Sequence, residues 1–526
     1  MITSMLEMKV KISMPINQYL KQAFTGFLSN IPCLSMVFAF IGFFLTAPAF
    51  ADTPRLEPTK CWFDIPSRHT AKCWFLYVTE NRTTNVKREI VLPVALLSTP
   101  DKKKYNDPVL YLEGGPGYSP NLIRDTIDDW WDWIESTPWS QERDLLLLDQ
   151  RGTLSAKPSL NCPEFQNPAF KHLGENGFPY IEWHKLLIKT ADQCLQRLHQ
   201  TGAELSAYNS TESAADIADL LVLLDIKQVN IYSISYGTRL ALTFIQNHPQ
   251  LARAVILDSV YPPEVDAFVD APAGIFSSFQ RLFEDCAADE FCNQQYPNLK
   301  QEFLNLYHQL QNEPFRIPID DADTRKPKVI TITAQSLVLM FFEAFYDKRD
   351  ITLLPRLIYE LKNGRGELAA SFIDDLLLSS QSSFSDGLYF SVECGEEYSS
   401  TNLTQQQIEA KRYSPYALPV TDYYDLMIIC PFWPSTNYKA AVNTPIYSNI
   451  PALVLVGRYD PITPPYAAKL AAARLMNSYF FEFPDVGHGV ASGNMCSESL
   501  IVEFINNPTV HPIHKCLGTL EKPDFR

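Results

Sequence analysis

A chain of 526 residues that is 46% hydrophobic and only 20% charged can bury a large core, which excludes a disordered protein. Its 60 acidic residues outnumber the 44 basic ones, and a surface of that sign repels nucleic acid and anionic lipid, so neither is expected as a partner. With 38 prolines against 20 glycines, the composition suits a loop-rich exported enzyme better than a helical bundle.

At the N-terminus, Lys9, Lys11 and Lys21 precede an apolar stretch from about Leu34 to Leu45, and Ala49-Phe50-Ala51 supplies an A-x-A cleavage site. Residues 1–51 are therefore expected to be a signal peptide. A membrane anchor is the alternative, but the apolar run is shorter than the roughly 20 residues a spanning helix needs. No stable anchor is expected after cleavage. Losing Lys9, Lys11, Lys21 and Glu7 takes the counts from 44 and 60 to 41 basic and 59 acidic residues, a net charge of −18. Of the 11 cysteines, Cys33 leaves with the signal, and an even number remains for disulfides in an oxidising compartment. Pairing neighbours in order gives five local bridges, with Cys61–Cys73 and Cys286–Cys292 the best supported because a short loop joins each pair. A structural metal is not expected, since no C-x2-C pair or His/Cys cluster occurs, and no cofactor is called for.

The mature chain opens with two stretches, Trp74–Val78 and Ile90–Leu97, that read as antiparallel edge strands around a polar turn. Short apolar runs bounded by turn signals then recur at Val109–Leu112, Leu145–Leu148, Val229–Tyr232, Ala254–Leu257, Ala452–Val456 and Tyr479–Phe483. This is the pattern of a buried, mostly parallel sheet. Thr211–Asp225 carries Ala214, Ile217, Ala218, Leu221 and Leu224 on one helical face, with Ser210 or Thr211 as N-cap. The alternation stops near Pro262 and resumes near Pro451. Helical patterns such as Phe279–Cys286, Leu299–Leu310 and Ser336–Tyr346 fill the gap. The expected architecture is α/β, with a core in two parts (52–262 and 447–526) and a mainly helical cap (263–446) over the C-terminal edge of the sheet, where such sheets bind ligands.

The strand Val229–Tyr232 runs into Ser233-Ile234-Ser235-Tyr236-Gly237 and then a helix. A serine on a tight strand-to-helix turn, with small residues two before and two after, is a nucleophile elbow. Ser235 meets that requirement with Ser233 and Gly237, whereas Ser233 would have Ile231 and Ser235 as flanks. After the strand Val109–Leu112 comes Glu113-Gly114-Gly115-Pro116-Gly117. Because Pro116 lacks an N–H, Gly114 or Gly115 is the expected oxyanion donor, together with the N–H of Tyr236. Asp460 follows the strand Ala452–Val456, and His488 sits in the loop after Tyr479–Phe483. Chain order is thus nucleophile, acid, base, the order of the α/β-hydrolase fold. Asp258, at the end of Ala254–Leu257, is a rival to Asp460 as the acid that orients His488.

Taken in order, EGGPG, Asp149-Gln150-Arg151-Gly152-Thr153, SYGTRLAL, GRYDPITP and GHG, with the long helical insertion, resemble the secreted tripeptidyl aminopeptidase and proline iminopeptidase group of α/β-hydrolases over roughly residues 55–520. The sequence departs from it at Glu113, where the iminopeptidases often have histidine, and at Ser233, where a glycine is usual. The resemblance implies a serine peptidase acting on peptides with a free N-terminus, and gives Asp149-Gln150-Arg151 a loop-holding role. It also implies a cap carboxylate that holds the substrate amine, for which Glu396 and Glu397, in Ser391-Val392-Glu393-Cys394-Gly395-Glu396-Glu397, are the nearest candidates. An esterase or lipase would use the same machinery. A catalytically inert binding protein is a third class, which the intact Ser235, Asp460, His488 and GGPG loop argue against.

Overall fold

Four successive leucines, Leu145–Leu148, are all buried, and so is every residue of Ala452–Gly457. Strands covered on both faces read in this way, and the computed structural model of the chain places both inside a sheet flanked by helices. It describes residues 53–84, 88–98, 105–122, 126–320, 327–378, 384–416, 422–434, 443–491, 494–513 and 515–526. The expected signal peptide lies outside the described residues.

Among the described residues, eleven strands run in chain order as β1 (Arg55–Thr59), β2 (Thr70–Thr79), β3 (Glu89–Ser98), β4 (Val109–Leu112), β5 (Leu145–Leu148), β6 (Val229–Ile234), β7 (Ala252–Asp258), β8 (Phe315–Asp320), β9 (Pro327–Ile332), β10 (Ala452–Gly457) and β11 (Ser478–Phe483). Nine of them form one sheet in the order β1-β2-β3-β5-β4-β6-β7-β10-β11. From β5 to β11 every pairing is parallel, while β1, β2 and β3 add on antiparallel. The two stretches read as edge strands are therefore second and third from the edge. The edge itself is β1, whose proline and exposed charges hide it from a search for apolar runs. The sheet order brings the ends of β4, β6, β7, β10 and β11 side by side, although 366 residues of chain separate Leu112 from Ser478.

The helix after the β5 excursion spans Ser210–Leu223 and is capped by Asn209, one residue before the expected cap, whose side chain accepts from Glu212 N. Its apolar face, Ala214, Ile217, Ala218 and Leu221, is buried as the spacing predicts. Each of the ten cysteines after Cys33 pairs with its neighbour in sequence: Cys61–Cys73, Cys162–Cys194, Cys286–Cys292, Cys394–Cys430 and Cys496–Cys516.

Between β7 and β10 the chain divides its packing. Helices from Ala267–Ala288 to Glu367–Leu378 and the β8–β9 hairpin build their own core around Ile275, Phe279, Phe303, Phe341 and Phe345. Leu388, Phe390, Leu426 and Ile429, farther on, pack instead into the core beneath the sheet. The cap also recruits residues from between β5 and β6. Phe178 joins its core, Lys328 pairs with Glu175 at 3.1 Å, and Thr333 Oγ1 donates to Gly177 O. Sequence periodicity could not reveal that partnership, because the two segments lie about 150 residues apart and meet only in the folded chain.

Candidate active site

Ser235 follows the central strand β6 with φ 55° and ψ −127°, a backbone conformation that costs a non-glycine residue energy and persists where packing enforces it. Ser235 N donates to Asp258 O, and the helix Tyr236–Asn247 starts immediately. A Cβ at Gly237 would lie 2.2 Å from Leu112 O, so only glycine lets this helix start pack on β4. Ser233 is fully buried and donates its hydroxyl to Ile256 O at 2.7 Å. That bond on the neighbouring strand shows why a serine fits where a glycine is usual.

Asp460 lies in the turn after β10 and is fully buried. It accepts from His488 Nδ1 at 3.0 and 3.1 Å, from Thr463 Oγ1 and N at 2.7 Å each, and from Ile462 N at 3.0 Å. With a carboxylate as partner, Nδ1 carries the ring proton, which leaves Nε2 as the basic nitrogen. Burial alone would raise the Asp460 carboxyl, but His488 and Thr463 hold it below the ordinary carboxylate range. For His488 burial works toward a lower pKa, and the charges of Asp460 and Asp258 outweigh it, so the imidazole titrates above its ordinary value.

Asp258 does not touch the imidazole. It accepts from Val490 N at 2.8 Å, Ala491 N at 2.9 Å and Tyr232 OH at 3.1 Å, while Ser259 Oγ accepts from Gly489 N. The rival aspartate thus grips the backbone of the histidine loop, and Asp460 holds the ring.

On the other side of Ser235, a Cβ on Gly114 would come within 2.9 Å of the Ser235 Cβ, so the glycine loop packs directly against the serine. Gly114 N, however, donates to Glu113 Oε1 at 2.9 Å, and Glu113 Oε2 accepts from Tyr111 OH. Of the two glycines named from sequence, Gly114 thus already has an acceptor for its N–H. Tyr236 N, at the first position of its helix, has no intrahelical acceptor. Asp149 and Gln150 brace this loop, Asp149 accepting from Ser119 and Gln150 Nε2 donating to Glu113 O, while Arg151 turns away to Asp216 at 2.8 Å and to the carbonyls of Glu80 and Ala207. Burial pushes the Asp149 carboxyl up to about 6.

Glu396 and Glu397 sit in a π-helical turn, Glu393–Tyr398, and are almost wholly buried. Glu396 accepts from Ser210 N at 2.6 Å, Ser210 Oγ at 2.9 Å and Arg239 Nε at 3.1 Å. Glu397 Oε1 is 2.7 Å from Arg239 Nη1 but out of line for a hydrogen bond. Burial raises the Glu397 carboxyl to about 7, with Glu396 adding to the rise and Arg239 opposing it. Tyr261, whose ring lies 5.2 Å from the Arg239 guanidinium, also lines a small cleft with Asp270, Tyr466 and Thr463. Sequence reading passed over Arg239 and Thr463. Arg239 had a signal, a charge one turn beyond Ser235 on an otherwise apolar helix, while Thr463 looked like part of a proline turn.

The comparisons agree with the fold. Residues 107–338 match the family described as alpha/beta hydrolase fold, and residues 417–516 match the family described as TAP-like protein. The serine protease Hip1 of Mycobacterium tuberculosis strain H37Rv is 23% identical over 397 residues, 70% of this chain and 73% of that one. YuaR of Escherichia coli strain K12 is 22% identical over 444 residues, 81% and 83% of the two chains. Among solved structures, MGS-M2, an alpha/beta hydrolase enzyme from a deep-sea metagenome library, aligns at 15% identity with a TM-score of 0.37, covering 81% of this chain and 98% of its own. The chain is a hydrolase with the α/β-hydrolase fold, and its C-terminal region is similar to the TAP-like family.

Proposed function

We propose that the protein is an exported serine peptidase that cleaves peptides from a free N-terminus through an acyl-enzyme. The observation that carries the reading is the Asp460–His488 pair on a loop whose Gly489 packs against Ile234, the residue before the strained Ser235. In this mechanism His488 Nε2 takes the Ser235 proton as Oγ attacks the scissile carbonyl, and Asp460 stabilises the imidazolium. The oxygen that gains charge accepts from the N–H groups of Tyr236 and Gly115. His488 then gives its proton to the departing amine, and water cleaves the ester by the reverse sequence.

A substrate ammonium entering a desolvated cleft needs a fixed carboxylate. Glu397, which faces Arg239 and Tyr261, suits that task better than Glu396, whose oxygens accept from Ser210 N, Ser210 Oγ and Arg239 Nε. Five disulfides favour an oxidising compartment, and the likeness to a serine protease favours peptides over other acyl substrates.

The test pairs fluorophosphonate labelling of Ser235 with cleavage of one peptide in free-amine and N-acetylated forms. Labelling, with the free amine preferred, is the expected result. Labelling with equal cleavage of both forms removes the aminopeptidase reading. Turnover of simple esters but no peptide leaves a carboxylesterase.

A further inference from the structure

The segment that follows the cap helix Ala334–Ala344 is built onto the histidine loop. His488 N donates to Phe345 O at 3.1 Å, and Lys348 pairs with Asp485, three residues before the histidine. Between these two ties, Tyr346 holds its ring 4.9 Å from the His488 imidazole, the planes inclined at 57°, with the Phe342 ring 5.7 Å from it. Phe341, Phe342 and Phe345 are buried in the cap core, whereas Tyr346 is 40% exposed. Cap packing accounts for the three phenylalanines. It does not account for a large ring kept partly in solvent beside the imidazole, on backbone fastened to that same loop.

The position of the base decides which part of a substrate such a ring meets. His488 Nε2 must come within hydrogen-bond reach of the leaving group to protonate it, while the acyl part points toward Ser235 and the oxyanion donors. We propose that Tyr346 is the wall of a leaving-group subsite that stacks on an aromatic or other broad apolar group attached to the departing nitrogen or oxygen. In a peptide that group is the side chain of the residue just after the scissile bond. The inference rests on the reading of Ser235 and His488 as the reacting pair. Because the leaving group has gone once the acyl-enzyme forms, Tyr346 acts on acylation and not on hydrolysis of the acyl-enzyme.

The experiment uses substrates with one acyl group and paired leaving groups, a benzyl against a methyl ester and a phenylalanine amide against an alanine amide. It measures kcat/KM for the unaltered protein, Tyr346→Ala and Tyr346→Phe. The unaltered protein is expected to prefer the aromatic member of each pair. Tyr346→Ala should lose roughly three- to tenfold of that preference, the size of an aromatic contact, and Tyr346→Phe should keep it. Absence of any preference in the unaltered protein, a preference unchanged in Tyr346→Ala, or an equal loss on both members of a pair each overturns the proposal. An equal loss would mean that the ring acts through His488. If the amides are not cleaved but the ester pair behaves as expected, the subsite stands and the peptidase reading fails.

Discussion

Asp460 and Glu397 are both carboxylates withdrawn from water, and the two regions that hold them treat them in opposite ways. At the end of β10, Asp460 collects donors from His488, Ile462 and Thr463, and its carboxyl is held low in spite of complete burial. In the π-helical turn of the insertion, Glu396 and Glu397 share one guanidinium, Arg239, and burial pushes Glu397 up to about 7. The number of well-aimed donors, not the degree of burial, decides whether a carboxylate stays charged. Asp460 is therefore a committed anion bonded to His488, and Glu397 is an acid held near neutrality.

Removing the chemistry of the core region is expected to have the largest effect. Ser235→Ala should lower kcat on every substrate by on the order of 10⁶, and Asp460→Asn by about 10⁴, with the fold retained by circular dichroism. Substantial turnover in Ser235→Ala would show that the elbow is not the reacting group. On the cap side, Arg239→Met leaves two buried glutamates without their cation and should destabilise the protein by about 3–5 kcal/mol in urea unfolding. A loss below about 1 kcal/mol would mean the pair is neutral in the fold. Glu397→Gln should leave cleavage of an N-acetylated peptide far less affected than cleavage of the free-amine form, whose kcat/KM should fall about tenfold or more.

The comparison is sharpest in pH dependence. With His488 raised by Asp460 and Asp258, the base is lost as pH falls, and the acid limb of kcat/KM should lie above the ordinary imidazole value of about 6.5. An acid limb below that value would contradict the charge balance around the ring. Dividing free-amine by N-acetyl rates cancels the histidine. That ratio should still climb with pH through about 7 as Glu397 ionises, and a flat ratio would rule out Glu397 as the amine partner.

Much of this was legible before any coordinates. The sheet strands β4 to β7, β10 and β11 are short apolar runs bounded by turns, a signal that burial on both faces imposes on sequence. Ser235 was legible because a strained turn restricts its own neighbours, and the cysteine pairs because each partner is the next cysteine along the chain. Edge strand β1 was not, since a half-exposed edge carries no such restriction.

What the sequence could not decide mostly involved which polar group each site residue faces in the folded chain. Asp258 and Asp460 both end strands beside the histidine loop. Only the folded loop shows that one takes its backbone N–H groups and the other its ring. Gly114 and Gly115 were equivalent until Glu113 claimed the first N–H, and Glu396 and Glu397 until Ser210 claimed Glu396. Tyr346 had no motif at all, because it meets His488 through a bond between a cap carbonyl and a loop more than 140 residues later. Local sequence determined which residues sit at strand ends and turns, because those constraints act between near neighbours. Tertiary structure decided which polar group each one faces, because hydrogen-bond partners are set by the approach of distant loops.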